Sequence, residues 1–152
     1  MSWAGKKRLG KNLRSLFTSK EQAPSVTTPL SRTPLLPHTV RRVEEMLRRW
    51  TEGKGFRMMD SSLEAAAARI GTDAATLNRY FWERGEDFRT YRTRLRVEDA
   101  KNMLVREPEV PAATVGRRAG FSDRSNFNRQ FKAHTGLTPT AWRAQHLPTH
   151  DK

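Results

Sequence analysis

The sequence predicts an all-α protein with two helix-turn-helix subdomains joined by a long helix. Beyond the first quarter of the chain, apolar residues recur three or four positions apart, which is the spacing of amphipathic helices. A glycine suited to the left-handed end of a helix is twice followed by a capping side chain. These pairs are Gly71 with Asp73, and Gly120 with Ser122 or Asp123. Between the two turns lies a helical pattern of about 20 residues.

Residues 1–37 are expected to form a basic, flexible arm with a proline-rich linker. The arm places apolar residues at helical spacing among lysines and arginines, the pattern of a basic amphipathic helix. Those apolar residues are Leu9, Leu13, Leu16 and Phe17. Residues 21–37 contain four prolines, which is typical of an extended linker. Seven basic residues against one acidic residue make this part basic on its own.

A first helix is predicted from about His38, with Gly53 and Gly55 as its end. Five apolar residues between these points form one stripe at helical spacing. They are Val40, Val43, Met46, Leu47 and Trp50.

The first helix-turn-helix unit is predicted over about residues 61–84. Ser61 or Ser62 caps its short first helix, and Asp73 caps its second helix, residues 74–84. Two apolar residues four positions apart give this second helix a core face, and they are Leu77 and Phe81. It is therefore the first predicted recognition helix.

A long connecting helix is predicted over about residues 87–106. Its inward-facing residues are Phe88, Tyr91, Leu95, Ala100, Met103 and Leu104. A helix of this length spans about 30 Å. Successive major grooves on one face of B-DNA lie about 34 Å apart. The connector is therefore long enough to hold two recognition helices one DNA turn apart.

The second helix-turn-helix unit is predicted over about residues 111–135. Pro111 opens its first helix, and Phe121 buries the turn. The core face of its second helix is formed by Phe127 and Phe131, four positions apart. A last helix from Pro139 closes the domain through Trp142.

This segment resembles the DNA-binding domain of the AraC/XylS family of bacterial transcription regulators. The residues that fit the family signature are Gly120, Phe121, Ser125, Phe127, Arg129, Phe131, Lys132, Gly136, Thr138, Pro139, Trp142 and Arg143. The resemblance covers roughly residues 40–146, so we place the domain at 38–148, followed by a tail at 149–152. It implies a sequence-specific activator that binds double-stranded DNA as a monomer and contacts RNA polymerase.

Two departures from the family pattern concern the geometry of the units. Three residues separate Phe81 from Gly85, where the family usually has one more, so the resemblance does not fix the entry angle of the long helix or the placement of the first recognition helix. Gly116 stands where the family usually has alanine. A glycine inside a helix costs about 1 kcal/mol relative to alanine.

Polar side chains off the core faces of the recognition helices are the candidates for base contacts. Arginine can bind guanine with two hydrogen bonds, and asparagine can do so with adenine. In the second recognition helix these candidates are Arg124, Asn126, Asn128 and Arg129. In the first, the family's reading positions are occupied by Ala75, Asn78 and Arg79. Ala75 offers only a methyl group, which suits thymine.

Other residues of the motif divide into phosphate contacts and core. The candidates for phosphate contact are Lys132, Arg143, Ser122 and Ser125. The structural core is assigned to Gly120, Phe121, Phe127, Phe131, Gly136, Pro139 and Trp142. Arg96 on the long helix either braces the two units through an ion pair or contacts DNA.

Composition favours a polyanionic partner and excludes several chemistries. The chain has 152 residues and a formal net charge of +13, which favours nucleic acid or an anionic membrane. Without cysteine there is no disulfide or thiolate chemistry. The four histidines have no metal-ligand spacing, and no catalytic motif is present, so we expect neither metal nor cofactor nor enzymatic activity. No apolar run approaches the roughly 18 residues of a spanning helix, and we expect a cytoplasmic protein on the nucleoid without a small-molecule sensor domain.

Two other functions remain open at this point. The net charge alone is compatible with a protein that coats DNA without sequence preference. The basic arm is compatible with a module that binds a protein partner or an anionic membrane. Acidic residues interleaved within the domain, and uncharged asparagines at the expected groove positions, favour sequence-specific binding over coating.

Overall fold

In the computed structural model, which describes residues 33–59 and 62–148, the chain forms seven α-helices, one short 3-10 helix and no strand. The all-α prediction is confirmed. The α-helices are α1 Pro37–Glu52, α2 Leu63–Ile70, α3 Ala74–Trp82, α4 Phe88–Arg106, α5 Ala112–Arg118, α6 Arg124–Thr135 and α7 Pro139–His146, and the 3-10 helix is Gly55–Arg57. The expected amphipathic helix of the arm and most of its linker lie outside the described residues. No helix in the described ranges combines the length and apolarity needed to cross a membrane.

Five of the helices begin at a residue whose side chain accepts a hydrogen bond from a backbone N–H of the first turn. These capping residues are Ser62 for α2, Asp73 for α3, Asp87 for α4, Asp123 for α6 and Thr138 for α7. The first N–H groups of a helix have no partner within it, so each cap removes an unsatisfied donor and fixes where the helix starts. At the second turn the cap is therefore Asp123 rather than Ser122.

The shortened turn between α3 and α4 closes through a left-handed glycine and backbone hydrogen bonds. Gly85 adopts a left-handed φ of 68°. The backbone N–H of Glu86 donates to the carbonyl of Phe81 at 3.0 Å. This is the wide hydrogen bond of a Schellman motif, and it satisfies a carbonyl that the helix itself leaves open. Three intervening residues are therefore sufficient to end α3 and start α4 at the cap residue Asp87.

The described part of the chain packs around two hydrophobic clusters. The first cluster consists of Val43, Leu47, Trp50, Phe56, Ala66, Ala67, Ile70, Leu77, Tyr80, Phe81 and Phe88. The second consists of Val97, Ala100, Met103, Leu104, Val115, Ala119, Phe121, Phe127 and Phe131. Helix α4 contributes Phe88 to the first and its later residues to the second. One continuous helix therefore belongs to both units.

A second connection between the units consists of the 3-10 segment with Met58 and of the two α4 residues that bind this segment, Arg96 and Asp99. We call this connection the joint. The Arg96 guanidinium donates from Nε to the carbonyl of Phe56 at 2.6 Å and from Nη2 to that of Met58 at 2.7 Å. Arg96 is 9% exposed. Beside it, Arg57 donates to both carboxylate oxygens of Asp99, at 2.7 and 3.0 Å. Charge-assisted hydrogen bonds of this kind are strong and directional. The 3-10 segment is therefore fixed to α4 by side chains as well as by apolar packing.

Because the Asp99 carboxylate is ion-paired at this joint, we expect the fold to lose stability in acid. Burial on its own raises the pKa of Asp99, but hydrogen bonds from Arg57 and Lys54 outweigh it and hold the pKa below its ordinary value. A carboxyl with a lowered pKa in the folded state stabilises the fold above its unfolded pKa of about 3.9. That contribution is lost as pH falls through the lowered pKa. Denaturant unfolding measured between neutral pH and acid should show it.

The matched variants are Asp99→Asn and, as a control, Glu109→Gln, which removes an exposed carboxylate. Asp99→Asn should be less stable at neutral pH and should lose less further stability in acid than the wild type. Glu109→Gln should follow the wild-type pH profile. Parallel profiles for wild type and Asp99→Asn would contradict the assignment.

Candidate nucleic-acid interface

The two predicted recognition helices, α3 and α6, carry the same arrangement of key residues. Each is capped by an aspartate, Asp73 or Asp123, whose carboxylate accepts from the N–H three residues later. Each has two buried core residues four positions apart, which are Leu77 and Phe81 in α3 and Phe127 and Phe131 in α6. An arginine stands midway between the core residues in both helices, at Arg79 and Arg129. The capping residue, the two core residues and the arginine therefore stand at the same relative positions in both helices, which we call their common register.

This spacing directs both arginines away from the core. Successive residues of an α-helix are turned by about 100°, so a residue two positions from a core residue lies on nearly the opposite side. Arg129 stands two positions after Phe127 and two before Phe131, and its side chain is exposed. Its Nη2 donates to Oδ1 of Asn126 at 3.0 Å. Arg129 and Asn126 thus form a polar pair at the outer side of α6.

The other candidates on α6 lie around this pair. Ser125 is exposed beside Arg129, whereas Arg124 and Asn128 are turned toward the edge of the core face, with Arg124 exposed and Asn128 half-buried. Lys132 in the last turn is exposed. No acidic residue occurs within Arg124–Thr135. The outer side of α6 is therefore positively charged, which favours an anionic surface.

Fewer of the candidate residues on α3 than on α6 are exposed, and part of α3 contacts the segment that precedes α1. Ala75 is exposed, whereas Asn78 and Arg79 are half-buried. The Arg79 guanidinium donates to the backbone carbonyl of Thr33. The N–H of Leu35 donates to the Glu83 carboxylate at 2.9 Å. The end of the predicted linker thus lies along the first recognition helix, a contact that no local sequence pattern indicates.

Arg143, a predicted phosphate contact, donates hydrogen bonds to backbone carbonyls of the protein. Its Nε donates to the carbonyl of Leu104 at 2.9 Å, and its Nη2 to those of Val110 at 2.6 Å and Glu107 at 3.4 Å. The last carbonyls of a helix have no intrahelical donors. From α7, Arg143 supplies a donor to one such carbonyl, that of Leu104, and two more to the segment that follows α4, so it ties the end of α4 to α7. The phosphate assignment of Arg143 is therefore withdrawn in favour of a structural one.

Arg96 follows one of the two alternatives expected for it, because it braces the two units. Its hydrogen bonds to the backbone carbonyls of the joint contribute to this brace and are not part of the prediction. Carbonyl partners have no sequence signature, because every residue carries one.

The glycine of the second turn, Gly120, is in close contact with the joint. Its φ is 105°, in the left-handed region. A Cβ atom placed on Gly120 would lie 2.7 Å from the Arg57 carbonyl oxygen and 2.7 Å from Nε of Arg96. Both its conformation and its surroundings therefore require glycine. The turn of the second unit therefore packs directly against the 3-10 segment and against Arg96 of α4.

Gly116 inside α5 has a packing reason of its own. A Cβ at this position would lie 2.4 Å from Cδ1 and 2.6 Å from Cγ of the Phe127 ring, which is 1% exposed. The absence of a side chain lets α5 and α6 approach closely. The expected cost of a glycine in a helix is thus compensated by a fit that alanine cannot make.

The remaining structural residues of the motif surround α6 and α7. Phe121 is 2% exposed, and its ring centroid lies 5.1 Å from that of Phe127. Gly136 ends α6 with a φ of 79°. Pro139 is buried in the first turn of α7, and Trp142 packs edge-on against Phe131 at a centroid distance of 6.0 Å. Ser122, predicted to contact phosphate, is exposed at the turn, where its hydroxyl donates to the Asp123 carboxylate at 3.3 Å.

Comparison with known proteins identifies relatives of this arrangement. A family model described as a helix-turn-helix domain matches residues 66–145. The arabinose operon regulatory protein of Escherichia coli K12 is 33% identical over 90 residues, which cover 57% of this chain and 30% of that protein. The transcriptional activator NphR of a Rhodococcus species is 31% identical over 87 residues, covering 57% of this chain and 26% of that protein. The chain therefore spans less than a third of the length of either relative.

A solved structure shares the fold. The DNA-binding domain of the global transcriptional factor AdpA, in complex with a target DNA, matches with a TM-score of 0.57 and 22% identity. The match covers 69% of this chain and 92% of that one.

Proposed function

The chain belongs to the AraC-type family of helix-turn-helix transcription regulators, and on this basis we propose that it binds DNA in a sequence-specific manner, with α3 and α6 in adjacent major grooves. The observation that carries the proposal is the common register of the two helices on one shared connector. Helix α4 has 19 residues, which corresponds to about 28 Å. This length is close to the repeat of about 34 Å between major grooves on one face of B-DNA. A monomer bound in this way reads an asymmetric site.

In this proposal, the outer side of α6 supplies the main base contacts. Arg129 binds guanine through its guanidinium, and Asn126 orients that guanidinium or contacts an adjacent adenine. Arg124 and Asn128 reach neighbouring bases from the edges of the helix. Phosphate contacts come from the exposed groups that flank α6, and these are Lys132, Ser122 and Ser125.

The first unit has the smaller set of base contacts. Arg79 and Asn78 occupy the positions that correspond to Arg129 and Asn128. Ala75 presents a methyl group to thymine. For Arg79 to reach a base, its hydrogen bond to the Thr33 carbonyl has to be exchanged for one to DNA. The first element of the site is therefore read with lower specificity than the second.

We further propose that the regulator is an activator that contacts RNA polymerase on the nucleoid. Its support is the relative named as a transcriptional activator. Transcription in vitro from a promoter that carries the binding site, with and without the protein, tests this. More transcript in its presence supports activation, and less transcript identifies a repressor.

Selection of binding sites from a randomised duplex pool tests the proposal as a whole. At near-physiological salt, the retained DNA should contain two short elements about one helical turn apart. One enriched element would mean that only α6 reads bases. No enrichment would contradict the proposal and favour the alternative that the charge of +13 suggests, a protein that coats DNA irrespective of sequence.

Replacing Arg129 with Ala should cost about 1–3 kcal/mol of binding free energy at one base pair of the selected site and relax specificity there. The reason is that alanine cannot provide the two hydrogen bonds to guanine. Equilibrium binding to the site and to each single-base variant measures the effect. The matched control is Arg41→Ala, because Arg41 is exposed on α1 opposite the buried Val43 and Trp50. An equal loss on every sequence would make Arg129 a phosphate contact instead.

A further inference from the structure

A polar cleft of about 210 Å³ lies between α4 and the second helix-turn-helix unit. One wall comes from α4 and includes Arg89, Arg92 and Thr93. The other wall comes from the second turn and from α6, with Ser122, Asn126 and Gln130. Among the residues that the structure describes, no acidic one lines the cleft. Its walls are therefore formed mainly by hydrogen-bond donors, three of them guanidinium groups once Arg96 at its base is included.

The wall on α4 is a continuous stripe of donors. Residues 89, 92, 93 and 96 are spaced by three, one and three positions, so they share one face of the helix. Arg96, nearest the second unit, is committed to the carbonyls of the joint. Arg92 is half-buried, with its guanidinium 5.4 Å from the centre of the Phe88 ring, and Arg89 is exposed. The stripe thus runs from the first unit toward the turn of the second.

The opposite wall is continuous with the recognition surface. Asn126 lines the cleft and also accepts a hydrogen bond from Arg129 on the outer side of α6. Gln130 follows Asn126 by one turn on the same side of the helix. The cleft therefore opens beside the side chains assigned to base contacts.

We propose that this cleft binds a phosphate of the DNA backbone midway between the two elements of the site. The proposal rests on the proposed function, because two helices in adjacent major grooves straddle the minor groove and the phosphates at its edges. Guanidinium groups bind phosphate oxygens with two parallel hydrogen bonds. Arg92 and Arg89 hold the phosphate, and Asn126, Gln130 and the hydroxyls of Thr93 and Ser122 complete the donor set. The contact fixes the position of the duplex between the two recognition helices without reading a base.

Removal of single phosphate charges from the DNA tests this assignment. A two-element duplex obtained by selection is made with one methylphosphonate midway between the elements or, as a control, with one beyond the outer end of an element. The central substitution should weaken binding of the wild type several-fold. It should weaken binding of Arg92→Gln and of Arg89→Gln less than that of the wild type, because each variant keeps only one of the two guanidinium groups. For each variant, the slope of log K against log salt should become shallower by about 0.9 per lost contact.

Two control variants accompany Arg92→Gln. Arg89→Gln changes an exposed residue, so it guards against a folding defect of Arg92→Gln. Arg41→Gln removes the same charge from α1 and should retain the wild-type response to the central methylphosphonate. Equal salt slopes in all three variants would overturn the assignment, because diffuse charge would then explain the binding.

A free phosphate ion offers the same chemistry as a DNA phosphate. Inorganic phosphate is therefore titrated into DNA-free protein while the melting temperature is followed. A saturable rise in the wild type that is absent in Arg92→Gln, combined with no effect of the central methylphosphonate, overturns the DNA assignment in favour of a free anion. An intact two-element site that tolerates the central methylphosphonate overturns this inference alone, whereas failure to select any site overturns the proposed function itself.

Discussion

Replacing Phe127 with Ala is expected to lower the free energy of unfolding by about 3–5 kcal/mol. The ring is 1% exposed, and its centroid lies 5.1 Å from that of Phe121 and 5.6 Å from that of Phe131. It also fills the space over Gly116. Truncation therefore removes buried apolar area and leaves a cavity at the contact between α5 and α6. Denaturant unfolding at neutral pH measures the loss.

A second substitution in the same contact tests the packing directly. Gly116→Ala alone should destabilise the fold by about 1–3 kcal/mol, because the new methyl overlaps the Phe127 ring. In the Phe127→Ala background that methyl has room. The double variant should therefore be more stable than the sum of the two single losses predicts.

The control for these variants is Trp82→Ala. Trp82 is an aromatic residue at the end of α3 with 42% of its surface exposed. Its replacement should change the free energy of unfolding far less than that of Phe127 does. An additive double variant, or an unchanged melting temperature for Phe127→Ala, would contradict the packing of α5 on α6.

Replacing Gly120 with Ala is expected to cost at least about 2 kcal/mol of stability and to loosen the joint. The left-handed backbone at Gly120 costs a residue with a Cβ about 1–2 kcal/mol. Overlap with the Arg57 carbonyl and Arg96 adds a packing cost of about 1–3 kcal/mol. The second cost can be relieved only if the turn moves away from the 3-10 segment. Denaturant unfolding measures the total.

Gly136→Ala separates the two contributions. Gly136 is also left-handed, with a φ of 79°, but a Cβ there would meet nothing within 4 Å. The conformational cost should therefore appear in both variants and the packing cost in Gly120→Ala alone. Equal destabilisation by the two substitutions would show that the turn does not press on the joint.

Local sequence signals are sufficient to predict the helices and their order. A capping side chain next to a left-handed glycine is a short-range pattern, because the hydrogen bond joins residues three positions apart. Asp73 and Asp123 therefore indicate where both recognition helices start, and both of them accept the expected capping hydrogen bond. The spacing of Phe127 and Phe131 likewise identifies a core face, because helix periodicity alone places them on one side.

Contacts between distant parts of the chain do not follow from those signals. Arg143 binds carbonyls 33–39 residues away, and Arg96 binds carbonyls 38 and 40 residues away. The sequence shows two arginines near a DNA-binding motif, for which DNA is the obvious partner. Helix propensity alone makes Gly116 unfavourable for stability. Its contact with the Phe127 ring of α6, which leaves no room for a Cβ, reverses that expectation. These three residues show where tertiary packing overrides local preference.

The contact of Arg79 with Thr33 also joins distant parts of the chain and does not follow from local sequence signals. A proline-rich segment predicts an extended chain but not the surface on which it lies. Its position beside α3 makes the first recognition helix the less accessible of the two.

If α4 and the joint hold the two recognition helices at a fixed distance, binding should depend on the spacing between the two DNA elements. The binding affinity is measured on duplexes in which the selected spacer is lengthened or shortened by up to half a helical turn, about 5 bp. Affinity should be highest at the selected spacing and should fall toward that of a single element when the spacer changes, because a rigid connector cannot follow the displaced groove. Equal affinity at every spacing would show that α4 and the joint do not hold the two recognition helices at a fixed distance.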